Sequence, residues 1–374
     1  MSDAPAPVLY PIRQWLSRLG PLAGLLAVWL LFAALKGNDF LKWDNQRLML
    51  LQTAVVGTAA VGATLIIISG GIDLSVGSTI ALGTVVVATL LKLGLAAHWA
   101  ALVGVLAACG CGALIGTLVI GHVGRAAALL AGALAIGWLW KSGGPLPAIG
   151  AGFLVAGVGI ALNEFLLKRV PLSPFIVTLG MWGALRGAGK GLADNQPVYP
   201  GHETWINQLM AVAPSGIGAV LPPGVLVLLG LALLMAGVLR YTQFGRHVFA
   251  IGSNELTARL CGVEVERTKL LIYIVGVGCA GLAAVLQFSY LSMGDPTTAD
   301  GYELKVIAAV VIGGASLSGG EGSMLGTIVG ALIMTVVDNG CTKLGLDNWV
   351  QEIVTGGIIV AAVTLDRLRH RRAT

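Results

Sequence analysis

Few side chains in this sequence could do chemistry, and Asp73 is the most conspicuous. It lies in SGGIDLSVGS, residues 69–78, between two apolar runs, with Gly70, Gly71 and Gly77 around it. Glycine leaves a helix easily, and a carboxylate at membrane depth is costly unless paired, capped or wetted. Two readings stand side by side. In one, Asp73 and Ser75 border a solute path; in the other, Asp73 is an N-cap for a helix starting at Leu74. One residue can do both. The other charges near apolar runs are Glu164, Glu303, Lys305 and Asp338. Glu164 stands i,i+4 from Lys168, the spacing of a helix-surface pair. Glu303 and Lys305 read as side chains that snorkel to an interface, and Asp338-Asn339-Gly340 as a helix end and turn. No series of carboxylates and histidines forms a proton relay.

Motifs for other chemistries fail on context. GVGCAG at 276–281 fits a dinucleotide fingerprint, but no strand precedes it and it sits inside an apolar run. GALRGAGKG at 183–191 has the wrong glycine spacing for a phosphate loop and lacks Ser or Thr after its lysine. Cys109 and Cys111 in a glycine-rich run read as small-residue packing, and the five cysteines show no metal-ligand spacing. No enzyme, cofactor or metal site is expected.

The elements that position these residues are set by lipid. The 374 residues are 56% hydrophobic and 11% charged, with 54 glycines, and mean hydropathy is +0.87. Soluble domains carry about 25% charged residues, and no soluble fold of this size hides so much apolar surface. The net charge of +5 sits in short gaps between apolar runs, which reports topology and not nucleic-acid binding. A span needs about 20 apolar residues. The runs at 20–36, 49–69, 72–92, 98–120, 126–140, 146–167, 173–190, 221–240, 269–290, 303–317, 323–338 and 346–366 predict twelve crossings. The runs at 126–140 and 303–317 are short enough to be re-entrant. The N-terminal segment lacks the layout of a cleaved signal, so residues 20–35 read as the first permanent span.

Twelve crossings place Arg13 and Arg18, Lys168 and Arg169, the cations between 240 and 269, and the tail RLRHRRAT on the cytoplasmic side. Both termini are then cytoplasmic. Residues 191–220 and 291–302 fall outside; Tyr199, Trp205, Pro200 and Pro214 suggest a structured cap in the first. GGIDLSVG at 70–77 and GGASLSGG at 313–320 echo each other. Glycine-broken helices in matching positions point to a transport path. Gly20/Gly24, Gly112/Gly116 and Gly326/Gly330 predict close helix contacts.

The strongest functional signal is the cytoplasmic loop 241–268, read from FGRHVFAIGSNELTARLCGVEVERTK at 244–269. Leu256, Leu260 and Val263 recur at helical spacing, Ser253 or Asn254 is an N-cap, and Gly262 a stop. A short amphipathic helix facing the cytoplasm suits docking on a partner.

That loop resembles the coupling loop of permeases in the bacterial ribose/xylose-type ABC import family, whose pattern runs roughly A-I-G-x-N-x-x-A-A-R-x-S-G-I. Ala250, Ile251, Gly252, Asn254, Ala258, Arg259 and Gly262 match; Ser253, Thr257, Cys261 and Val263 depart by small changes. SGGIDLSVGS, SPFIVTLGMWGALRG at 173–187 and VIAAVVIGGASLSGGEGSMLGTIVGALIM at 306–334 resemble further blocks in the family's order. About forty residues, 124–165, are extra and form an apolar hairpin. The resemblance implies an all-α polytopic membrane protein: a ten-helix permease core with glycine-broken helices, plus the inserted pair. It implies no ATPase in this chain, separate cytoplasmic ABC ATPase subunits, a periplasmic sugar-binding protein, and a second permease copy in the inner membrane. Docking would fall to Gly245, Arg246, Gly252, Asn254, Ala258, Arg259 and Gly262. With affinity residing in the binding protein, the path would be weakly polar, along Asp73, Ser75, Ser78, Thr79, Ser316 and Ser318. The alternative is a sugar or solute carrier driven by an ion gradient, for which Asp73 is the one serious coupling residue.

Overall fold

The computed structural model describes residues 9–143, 145–166, 172–211 and 221–371. The anticipated Glu164–Lys168 pair, residues 212–220 of the polar cap, and the side chains of Arg13, Arg18 and the basic tail lie outside what is described. The described chain is helical: α1 Leu9–Lys36, α2 Asn38–Leu41, α3 Trp43–Ile68, α4 Val76–Lys92, α5 Ala97–Val119, α6 Val123–Gly143, α7 Pro145–Leu166 and α8 Pro174–Leu192. A 3-10 turn at Trp205–Leu209 follows, then α9 Pro223–Tyr241, α10 Gln243–Ser253, α11 Glu255–Leu260, α12 Val265–Leu291, α13 Tyr302–Ile312, α14 Met324–Lys343 and α15 Asn348–Arg371. By length and hydropathy α3, α5, α9, α12 and α14 each suffice to cross a membrane, and Gly20–Lys36, Val76–Lys92 and Gly150–Ile160 are shorter apolar stretches.

Helix α3 is the axis of the bundle. Its interior is almost wholly buried, and it is built of Ala, Gly, Val and Thr. Lipid supplies no hydrophobic drive between helices, so backbones must approach closely to gain dispersion energy. Gly62 does this: a Cβ there would lie 2.8 Å from Cys279 Cβ on α12. Its threonines return their hydroxyls to carbonyls one turn back, as Thr58 does to Ala54 O at 2.6 Å. Thr64 also meets Thr327 of α14 at 2.6 Å, and Asn45 and Asn339 exchange amide bonds at 2.9 and 3.0 Å. Of the three anticipated glycine pairs, Gly112/Gly116 and Gly326/Gly330 lie at close crossings, with α12 and α13 respectively, whereas Gly20 meets nothing within 4 Å. Exposed Leu102, Leu106, Leu226 and Leu233 face outward from α5 and α9, as a lipid surface requires.

The bundle has two ends. At one, α3 finishes beside the short helix α10. At the far end lie α2 and the 3-10 turn, where Ser289 accepts from Met210 N at 3.0 Å and Val198 bridges Gly294.

Two crossings are not plain helices. The first breaks between Ile68 and Val76, as the glycines predict. For the second, the sequence predicts a polar outer segment at 291–302 followed by a short span at 303–317. Helix α13 is only 11 residues long, about 16 Å at 1.5 Å per residue, half of a bilayer core. The preceding residues enter the bundle as a bridge at Gly294 followed by turns over 296–301. Gly294 packs on Ala88, Asp295 N donates to Thr84 Oγ1 at 3.3 Å, and Ala299 lies against Gly77, so this stretch runs back along α4. The other short run, 126–140, is a full helix, α6. It pairs with α7 at glycine crossings, a Cβ on Gly159 falling 2.6 Å from Ala128 Cβ.

Candidate functional site

Irregular backbone inside a membrane needs internal hydrogen-bond partners, and α8 supplies them at both breaks. Thr178 donates to Ile72 O at 3.3 Å. Buried Arg186 donates through Nη1 to Thr298 O at 2.6 Å and Pro296 O at 3.2 Å, and its Nη2 lies 3.6 Å from Asp300. Gln287 Nε2 adds a bond to Thr298 Oγ1 at 2.9 Å. Asp73 closes the first break from within: its Oδ1 accepts from Ser75 N at 2.8 Å and Ser75 Oγ at 2.6 Å. The helix begins at Val76, so the carboxylate holds the turn before the helix and not its first amides. Among the described residues Asp73 Oδ2 is buried without a partner.

Of the six anticipated path residues, Asp73, Ser75, Ser78, Thr79 and Ser316 are buried, and Ser318 is exposed. They fall in two groups. Asp73, Ser75, Ser78 and Thr79 belong to the first break and the start of α4; Ser316 and Ser318 belong to the loop 313–322, where Ser318 N donates to Ser316 Oγ at 3.2 Å. The echoing glycine motifs approach each other beside the end of α10. Gly320 N donates to Ile68 O at 2.8 Å. Gly319, at φ +86°, would place a Cβ 2.7 Å from Gly252 O and 3.1 Å from Gly70 Cα. A Cβ on Gly252 would lie inside the contact shell of Ile68 O and 2.6 Å from Gly320 N. The end of α10 is therefore wedged between both glycine loops, backbone against backbone.

Helices α10 and α11 present opposite faces. Gly245, Val248, Ile251 and Ala258 are buried, while Arg246, Asn254, Arg259 and Gly262 are exposed. The anticipated short helix is α11, capped as expected by Asn254, whose Oδ1 accepts from Thr257 N at 2.9 Å, and a further helix, α10, precedes it. Gly262 ends α11 at φ +84°. Glu255 ties Lys269 at 2.6 Å and Arg259 at 3.5 Å. Leu256 and Leu260 are 69% and 81% exposed one turn apart, a bare apolar strip amid charge.

A further polar site escaped the sequence reading. Between α3, α12, α13 and α14, in the half of the bundle away from α10, lies a cavity of about 490 Å³ lined by Gln52, Gln287, Tyr302, Lys305, Thr335 and Asp338. A second, of about 540 Å³, is lined by Glu303, Lys305, Asp338, Gln351, Glu352 and Thr355. Lys305 Nζ meets Asp338 Oδ2 at 2.6 Å between them. Lys305 does not snorkel, and Asp338 does not end a helix, because α14 runs on to Lys343.

A family model described as branched-chain amino acid transport system / permease component matches residues 47–122 and 120–363. The chain belongs to this permease family. The permease is 34% identical over 367 residues, 97% of its own length and 94% of the other's, to the probable ABC transporter permease protein YphD of Escherichia coli K12. It is 34% identical over 363 residues, 96% and 97% of the two lengths, to the ribose import permease protein RbsC of the same strain. The xylose transport system permease protein XylH is 32% identical over 373 residues, 94% and 92%. The permease is thus a multi-pass inner-membrane transport subunit and not an enzyme, and the ATPase and binding protein of such a system are other polypeptides.

Proposed function

We propose that this chain forms the membrane path for a monosaccharide in an ATP-driven importer, with α10 and α11 as the segment that the ATPase grips. The observation that carries the reading is the wedge at Gly252. A partner that moves α10 must move both glycine loops, because neither leaves room for a side chain between them and the helix. Alternating access needs such a rigid link between the engine and a gate. The sugar, and not the amino acid of the family description, is favoured because ribose, allose and xylose permeases match along almost the whole chain.

In this reading the end of the bundle beside α10, the coupling end, is cytoplasmic. Arg240, Arg246, Arg259, Arg267 and Lys269 gather there within one short stretch, the excess of Lys and Arg that marks a cytoplasmic loop. Asp73, Ser75, Ser78, Thr79, Ser316 and Ser318 belong to the inner gate, and Gly245, Arg246, Gly252, Asn254, Ala258, Arg259 and Gly262 to the docking segment. The far end, with the 3-10 turn and residues 198–211, receives the periplasmic binding protein. A second copy of the chain completes the translocating unit, and the α6–α7 pair faces lipid through exposed Phe153 and Leu154. In proteoliposomes containing the permease, its ATPase and its binding protein, uptake of the sugar is expected only with ATP. Uptake by the permease alone, driven by a proton or sodium gradient, would overturn this reading in favour of the gradient-driven carrier.

A further inference from the structure

An ion pair held inside a membrane bundle is expensive, and stability does not account for this one. Replacing such a pair by well-packed apolar residues is commonly neutral or stabilising. The Lys305–Asp338 bridge is also wet, its side chains 27% and 23% exposed, with a cavity on each side that both residues line. Around it stand neutral hydrogen-bonding groups from different helices: Gln52 of α3, Gln287 of α12, Thr335 of α14. The Tyr302 ring lies 5.6 Å from the lysine nitrogen. A paired cation and anion carry no net charge, and together with amides, a hydroxyl and a ring they suit a neutral solute that donates and accepts at neighbouring positions. A vicinal diol does both: one hydroxyl donates to the carboxylate while the next accepts from the ammonium. Lys343 also lines the first cavity, but the second is lined by Asp300, Glu303 and Glu352 beside the pair, so an anionic sugar derivative would meet three further carboxylates on passing the bridge.

From this geometry we infer that the Lys305–Asp338 pair is a solute subsite that reads the hydroxyls of a neutral polyol, and that it partitions the path into two chambers. The inference rests on the importer reading above and names the part of the path that engages the sugar. Solute enters the first chamber, exchanges its diol into the pair, and reaches the second as the bridge reforms behind it.

The test is ATP-driven uptake of D-ribose or D-xylose by complexes that assemble with the ATPase. Lys305→Met and Asp338→Asn should each lower uptake roughly tenfold or more, the size of one lost charge-assisted hydrogen bond. The doubly apolar Lys305→Met/Asp338→Leu variant separates the roles. A merely structural bridge would be replaced and uptake would return; a subsite would stay lost. Return of wild-type uptake in the double variant overturns the inference. Should the double variant fail to assemble, a cysteine at Thr335 in a cysteine-free background gives a second reading. Its alkylation should be slowed by D-ribose and not by D-ribose 5-phosphate, and equal rates with and without D-ribose overturn the inference. Should the wild-type complex itself fail to use ATP, the importer reading has failed instead.

Discussion

At Gly252 an added methyl group has nowhere to go, since Ile68 O and Gly320 N already occupy the space. Overpacking of this kind typically costs about 1–3 kcal/mol, and here the strain falls on the joint between α10 and both glycine loops. Gly252→Leu is therefore expected to leave the protein in the membrane while its ATP consumed per sugar imported rises several-fold; transport and hydrolysis assayed on one preparation check this. An unchanged ratio would contradict the wedge. Gly252 and Asn254 were legible from the chain alone because their types are demanding: one lacks a side chain, the other caps a helix. Asp338 was not. Asp-Asn-Gly is turn chemistry in isolation, yet Asn339 is held by Asn45 across 294 residues and Gly340 packs under the Phe32 ring. Tertiary partners carry the helix through.

At the scale of elements, the breaks decide what the bundle can do. The irregular stretch before α13 keeps its place because Arg186 answers its carbonyls. Arg186→Leu would leave two buried acceptors without donors, at about 1–3 kcal/mol each. A lowered midpoint in thermal unfolding of the detergent-solubilised protein is expected, with partial recovery in Arg186→Lys, which restores the charge but not the fork. Equal midpoints would deny the arginine its role. Apolar runs located most helices to within about five residues, because span length and composition are both imposed by lipid, whereas α1 begins at Leu9, ahead of the apolar run at 20–36. The composition of 294–301, Gly-Asp-Pro-Thr-Thr-Ala-Asp-Gly, reads as an outer loop, and only a cation on a helix more than a hundred residues earlier lets it enter the bundle. Nothing local reports such a partner.

For the whole molecule, the central axis α3 connects the polar cavities to the coupling end, where two glycine loops and α10 meet. The all-helical membrane class and the permease family were legible because they follow from hydropathy and from several ordered motifs. The polar cavities were not, since Gln52, Gln287, Thr335 and Lys305 are scattered through four separate helices and converge only in the packed bundle. The account makes α10 and α11 the handle by which an engine moves that axis, and Leu256 and Leu260 are its bare apolar strip. Both side chains are so exposed that Leu256→Glu/Leu260→Glu leaves the packed interior untouched. Binding of the purified ATPase subunit to the purified permease is the direct measurement. The account predicts that wild-type permease retains the ATPase through size-exclusion chromatography and the double variant does not; a double variant that holds the ATPase as firmly as wild type would contradict it.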